Sequence, residues 1–224
     1  IDIDAVCIDE GDRITKIDGY IAPLDGGSIN LDIKAHNTSL GFLNEYCSSF
    51  MSDVALQGNG EVKLHGPFSE LNLTGVMVAD GAFSVKPNGC RYSMPGDTVV
   101  LGINKLEFNG IPLHDKDGNT AYVFGGLYHN HLRKITYDMQ VRTDRFLAYD
   151  FPELYSSSSP NSSSLYCGVA YIDGTIDIKG GDSDVTLSGN VNAQKGSYII
   201  YNNSSPDAIV SKDFISWHSA NKSL

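Results

Sequence analysis

One stretch of the sequence occurs twice, and this repeat limits the chain to a few architectures. The first copy spans residues 60–83 and the second spans residues 174–198. The copies share Gly, Ser, Ala and aliphatic residues at a constant offset, until a one-residue insertion shifts Gly81 to Gly196. A recurring unit with one apolar side buries that side by stacking on its neighbours, so the sequence predicts a repeat architecture.

Each copy has the pattern of two strands joined by a tight turn. Val62 and Leu64, and then Leu71 and Leu73, alternate with polar residues at a period of two. This alternation is typical of a strand with one buried face. Similar alternating runs occupy most of the chain, so we expect an all-β fold made of antiparallel strands.

Two segments depart from this pattern. Apolar residues recur every three or four positions between residues 39 and 54, which predicts one short amphipathic helix. Its polar side carries Asn44, Glu45 and Asp53, so packing against the sheet is favoured over a membrane surface. Residues 156–164 are almost all Ser, with one Pro and one Asn, and this composition predicts a flexible loop.

Composition and charge exclude some classes of protein. The net charge is -11 and the pI is about 4.8, whereas nucleic-acid binding needs clustered Lys and Arg. The chain begins with Ile rather than Met. We therefore expect residues 1–224 to be a single β-rich fragment of a larger protein, with any membrane contact made by parts outside it.

The sequence contains few signs of catalytic or metal chemistry. Four cysteines stand far apart, without a C-x-x-C pair, and are expected to be buried thiols: Cys7, Cys47, Cys90 and Cys167. His114, His129 and His131 are more typical of solvated turns than of metal ligands. The Asp115–Asn119 segment predicts a hairpin turn and does not match a calcium loop. We predict no enzyme activity, no cofactor and no metal.

The sequence resembles the translocation and assembly module subunit TamB family of Gram-negative bacteria, in the AsmA-like group, and especially its Bacteroidetes-type members. The resemblance extends over residues 13–200. The stretches that carry it are residues 17–21, the apolar positions Leu40, Leu43 and Phe50 leading to residues 58–62, and then residues 73–76, 111–115, 118–121, 127–129, 137–139, 166–168, Ala170 and 173–176.

This resemblance implies a periplasmic protein that is anchored to the inner membrane by an N-terminal segment absent from this sequence. It implies a long antiparallel sheet curled like a taco around an apolar interior. The implied work is outer-membrane assembly, protein secretion or translocation, and lipid transport. The implied partners are phospholipid acyl chains and an outer-membrane barrel of the Omp85 type.

The apolar side of the strands supplies the candidate lipid groove. Its predicted residues are Val62, Leu64, Leu71, Leu73, Ile135, Tyr137, Met139, Ile176, Ile178, Val185 and Leu187. The same residues would form an ordinary packed core if a second layer covered them. The sequence alone leaves two other functions open, namely a β-repeat protein that binds or processes polysaccharide and a surface adhesin or spacer.

Overall fold

The computed structural model describes residues 1–9, 13–24, 26–152, 166–181 and 184–201. The predicted flexible loop 156–164 lies outside these residues. The elements are β1 Asp2–Asp9, β2 Arg13–Ala22, β3 Ser28–Ser39, α1 Leu43–Tyr46, β4 Met51–Pro67, β5 Asn72–Val85, β6 Cys90–Gly102, β7 Lys105–His114, β8 Thr120–Asn130, β9 Arg133–Phe151, β10 Tyr166–Gly180, β11 Val185–Ala193 and β12 Tyr198–Tyr201. Among the described residues, no helix has the length and apolar character needed to cross a membrane.

All twelve described strands form one sheet. Strands β1 to β11 lie side by side in chain order, and each pairs antiparallel with the next. β11 pairs with the second half of β10, and β12 pairs with the first residues of the same strand. β1 and β11 are not paired with each other, so the sheet does not close into a barrel. The predicted all-β antiparallel class with one short helix is confirmed.

The two copies of the repeat form hairpins with the same register. In the first copy, which is the β4–β5 hairpin, Val62 stands opposite Gly75. In the second copy, which is the β10–β11 hairpin, Ile176 stands opposite Gly189. Equivalent positions of the sequence therefore occupy equivalent positions of the ladder.

Glycine is needed at one equivalent position of both copies because the neighbouring strand approaches closely. A Cβ atom on Gly75 would lie 2.3 Å from the carbonyl oxygen of Glu61, and Gly75 has a φ of +143°. A Cβ atom on Gly189 would lie 2.2 Å from the carbonyl oxygen of Thr175. Any larger residue would have to displace the paired backbone.

The sheet is strongly curled. The rings of Tyr92 on β6 and Phe146 on β9 stack with their centroids 4.9 Å apart. Three strand spacings would separate these strands by about 14 Å in a flat sheet. Both rings pack in one cluster with Ala121 of the intervening β8. The face that carries these side chains is therefore concave.

The predicted helix over residues 39–54 is wrong in its extent. Only Leu43–Tyr46 is helical, and Met51 already pairs with Val85 in the sheet. Cys47 and Val54 are buried as the pattern required. A compact turn followed by a strand buries the same residues as the predicted helix, so the spacing of apolar residues alone could not distinguish the two.

Candidate functional site: the apolar face of the sheet

One unbroken row of apolar side chains and glycines crosses the sheet from β1 to β11. Each residue of this apolar row stands directly opposite the next one in the neighbouring strand. The row consists of Ala5, Ile17, Ile33, Val62, Gly75, Leu101, Leu106, Leu127, Tyr137, Gly180 and Val185. Ten strand spacings give it a length of about 48 Å along the curved sheet.

The adjacent row, displaced by one residue in every strand, points to the other face and has a different chemistry. This charged row consists of Val6, Lys16, Lys34, Glu61, Val76, Val100, Glu107, Gly126, Asp138, Lys179 and Thr186. Lys34 lies 3.3 Å from Glu61, and Lys179 lies 3.0 Å from Asp138. Successive side chains of a strand point to opposite faces, so the sheet has one apolar and one charged side.

The structure places most of the predicted groove residues on this apolar face. Val62, Tyr137 and Val185 belong to the apolar row itself. Further rows on the same face pair Leu64 with Leu73, and join Met139 to Ile178 and Ile178 to Leu187. On the same strands, Ile135 lies two residues before Tyr137, and Ile176 lies two residues before Ile178.

Leu71 does not lie in a strand, and the groove residues differ widely in exposure. Leu71 is the last residue of the β4–β5 turn, before β5 begins. Val62 is 7% exposed, whereas Val185 and Leu187 are 62% and 66% exposed. The apolar face is therefore packed in the middle of the sheet and open to solvent at the β11 edge.

A packed cluster closes the face where β6 meets β9. Cys90 and Leu147 are fully buried there. The Tyr92 hydroxyl donates a 2.9 Å hydrogen bond to the carbonyl oxygen of Leu147 and accepts one from Asn88. Burial raises the pKa of the Cys90 thiol to about 11, so this thiol stays protonated at neutral pH. The cluster is structural and is not a reactive site.

The buried carboxylate of Asp115 fastens the β7–β8 turn to β9. It accepts 2.9 Å hydrogen bonds from the backbone N–H groups of Asp117, Asn119 and Leu147. Burial alone would raise the pKa of Asp115, but the Asn119 side chain and these three N–H groups together lower it below its ordinary value. The predicted hairpin turn over Asp115–Asn119 is confirmed, and its carboxylate is engaged by the protein itself.

The segment between β3 and β4, residues 40–50, crosses the concave face, and we call it the strap. Leu40 packs against the buried cluster of Ala79, Met94 and Ile111. At the end of α1, the Tyr46 hydroxyl donates a 3.0 Å hydrogen bond to the carbonyl oxygen of Leu132, in the β8–β9 turn. The strap therefore covers part of the apolar face that the strands leave open.

The histidines considered as metal ligands do not come together. His114 contacts Thr120 through Nδ1 at the beginning of the β7–β8 turn, whereas His129 and His131 lie at the opposite end of β8. Burial and then the nearby His131 lower the pKa of His129. Within the described part of the chain, no group of three or more His, Cys, Asp or Glu residues is arranged to hold a metal ion.

Of the four cysteines, Cys47, Cys90 and Cys167 are buried, and all four are free thiols. The expectation of burial is wrong for Cys7, which is exposed. Cys7 lies on β1, whose outer side has no described partner strand. A strand at the edge of a sheet has less neighbouring protein to cover its side chains, whatever its sequence.

Sequence reasoning missed the contacts that curl the sheet. The bond from Tyr92 to Leu147 joins residues 55 positions apart, and the bond from Leu147 to Asp115 spans 32 positions. No local pattern marks such pairs. The aromatic residues Tyr92 and Phe146 were the sequence signal that could have indicated these contacts, because large aromatic side chains dominate core packing.

Comparison with known proteins gives one match. Residues 110–220 match the family model described as the TamB C-terminal domain. No curated protein and no solved structure matches the chain. The matched range begins within β7 and covers the second copy of the repeat and the open edge of the sheet, and it supports the resemblance drawn from the sequence.

Proposed function

We propose that this chain is part of a TamB-family protein and that its apolar face shelters phospholipid acyl chains on their way between the inner and outer membranes. The match of residues 110–220 supports a role in outer-membrane assembly or translocation. The observation that supports the binding of acyl chains is the apolar row, which crosses eleven strands without a charged side chain.

The chemistry of the two faces supports this assignment. An acyl chain gains free energy only by leaving water, at about 0.8 kcal/mol for each buried CH₂ group. A dozen sheltered methylenes would thus contribute roughly 10 kcal/mol. Aliphatic side chains offer no directional polar contacts, so we expect broad selectivity among diacyl lipids. The charged face keeps the outer side of the sheet in water.

The role we propose is non-enzymatic, namely passage or chaperoning of lipid and client segments. We further propose a periplasmic location, with an inner-membrane anchor outside these 224 residues. The proposed protein partner is an outer-membrane barrel of the Omp85 type. The edge strand β11 suits contact with another β-structure because its outer N–H and C=O groups have no partner among the described strands.

The experiment is site-specific photocrosslinking in membrane-bearing cells, with matched neighbours on opposite faces. A photoreactive residue is placed at Leu187 or Tyr137 on the apolar face, and at Thr186 or Asp138 on the charged face. Leu187 and Thr186 are both exposed residues of β11, so neither change should unfold the sheet.

We expect phospholipid adducts from Leu187 and Tyr137 and few from Thr186 and Asp138. The adducts are identified by mass spectrometry after protease digestion. Equal lipid yields from both faces would contradict the proposal, because contact would then reflect general proximity to membrane. A yield of zero at all four positions would favour the spacer function.

A further inference from the structure

The charged side of the sheet contains a second concave feature, at the ends of β2 to β4. It is a shallow groove of about 350 Å³ lined by Tyr20, Ser28, Ile29, Asn30, Lys63, His65, Gly66 and Pro67. Small-molecule sites usually have about 300–1,000 Å³. The groove lies on the opposite face from the apolar row, so its occupant is independent of any acyl chain.

Three of the lining side chains form a row across this groove, and Asn72 of β5 continues the row beyond the lining. Tyr20 stands opposite Asn30, Asn30 opposite His65, and His65 opposite Asn72. Facing side chains in such a ladder have Cβ atoms about 5 Å apart, and two strand spacings give the lining part of the row, from Tyr20 to His65, a length of about 10 Å. A half-exposed aromatic ring at one end is thus followed by two amides and an imidazole.

Both amides of this row contain an oxygen that the protein leaves without a partner. The Oδ1 atoms of Asn30 and Asn72 are buried and accept no hydrogen bond from the described residues. Such atoms are rare in folded proteins and call for an explanation such as an unseen ligand. The last torsion of Asn is broad, so the Asn30 amide can turn its oxygen toward the groove.

The surrounding charges disfavour an anionic ligand. Lys63 is the one cationic side chain that lines the groove, and its Nζ lies 3.4 Å from a carboxylate oxygen of Asp32. Asp18 stands opposite Asp32, and Asp2 stands opposite Tyr20. The carboxylates of Asp2, Asp18 and Asp32 thus stand in the ladder beside the groove, and the Lys63 ammonium group within it is already paired. A neutral ligand rich in hydroxyl groups avoids this repulsion.

We propose that this groove binds a neutral saccharide. The Tyr20 ring offers an amphipathic face on which the C–H side of a sugar ring can pack. The amide of Asn30, the hydroxyl of Ser28 and the imidazole of His65 supply donors and acceptors for sugar hydroxyls. Oligosaccharides are extended ligands, and an extended ligand fits a row of this length in an open, shallow groove.

The test is isothermal titration calorimetry on the full 224-residue chain with chitotriose, maltotriose and inorganic phosphate. We expect binding of at least one of the two saccharides and none of phosphate. Tyr20→Ala and Asn30→Ala should each weaken saccharide binding by about tenfold or more, since each removes one contact surface. Circular dichroism establishes that both variants keep the β-sheet.

Tyr128→Ala is the matched control, because Tyr128 is also 43% exposed and lies far along the sheet on β8. This variant should bind the saccharide as the wild type does. Binding of neither saccharide, binding of phosphate alone, or an equal loss in Tyr128→Ala would each overturn the proposal. We expect Tyr20→Ala to leave lipid crosslinking from Leu187 unchanged. The saccharide proposal and the lipid proposal can therefore be tested independently.

Discussion

The first copy of the repeat lies inside the sheet, whereas the second copy lies at its edge. In the first copy, β4 and β5 are flanked by β3 and β6; in the second, β11 has no described neighbour on its outer side. The registers of the two hairpins agree position by position. Nevertheless Leu73 is half-buried, while the equivalent Leu187 is 66% exposed. The repeated sequence therefore determines pairing, and the position in the sheet determines burial.

This difference is relevant to function. A packed copy stabilises the curled sheet, and an exposed copy with the same apolar face is available to a ligand or a partner. β11 contains no charged residue between Val185 and Ala193, whereas the opposite edge strand β1 contains Asp2, Asp4 and Asp9. Charged residues on an edge strand discourage pairing with other chains. The β11 edge lacks this protection.

The largest expected effect is on stability, and it distinguishes the two copies of the repeat directly. Leu73→Asp should lower the free energy of unfolding by about 3 kcal/mol, because it places a carboxylate between packed strands. Leu187→Asp should change it by less than about 0.5 kcal/mol, because the side chain is already in water. Urea unfolding of both variants measures the difference. Equal losses would mean that the exposed edge is covered in solution.

The second effect concerns the glycines of the two hairpins. Gly75→Ala should lower the free energy of unfolding by about 2 kcal/mol. The φ of Gly75 is positive, and β5 is held by a paired strand on each side. Gly189→Ala meets the same close contact, but β11 can move outward because no described strand pairs with its other edge. We expect thermal unfolding to show a smaller loss of stability for Gly189→Ala than for Gly75→Ala. A larger loss for Gly189→Ala would contradict this expectation.

The third effect is a pH dependence of the stability of the packed middle of the sheet, through Asp115. The folded-state pKa of Asp115 lies below its ordinary value. Its contribution to stability is therefore complete above about pH 4, the pKa of Asp in an unfolded chain, and decreases as the pH falls through the lower folded-state pKa. Asp115→Asn should cost about 1.5 kcal/mol at pH 7, since hydrogen bonds to a charged group are lost.

Unfolding measured between pH 7 and pH 3 checks this effect. The wild type should lose more stability over that range than Asp115→Asn does. Asp144→Asn is the control, because Asp144 lies on β9 and is exposed. A wild type and an Asp115→Asn variant with parallel pH profiles would show that the carboxylate does not hold the turn to β9.

The sequence predicted what depends on neighbours in the chain and missed what depends on neighbours in space. The alternation around Val62 and Leu64 correctly predicted the β4–β5 hairpin and its faces. The same alternation around Leu187 predicted its face but could not predict its exposure, because no described strand pairs with the outer side of β11. The stacking of Tyr92 on Phe146 requires the sheet to curl across the two intervening strands, β7 and β8. The apolar spacing over residues 39–54 fits both a helix and a turn followed by a strand.

Whether the apolar face holds acyl chains is tested most directly by the lipid content of the purified chain. The chain is prepared without detergent from membrane-bearing cells as wild type, Leu187→Asp and Thr186→Asp, and bound phospholipid is quantified by mass spectrometry. Both substitutions add one charge to an exposed residue of β11, on opposite faces. We expect Leu187→Asp to retain about tenfold less phospholipid than the wild type, a difference of about 1.4 kcal/mol, and Thr186→Asp to retain the wild-type amount. Equal retention by the two variants, or a wild type without phospholipid, would contradict the claim.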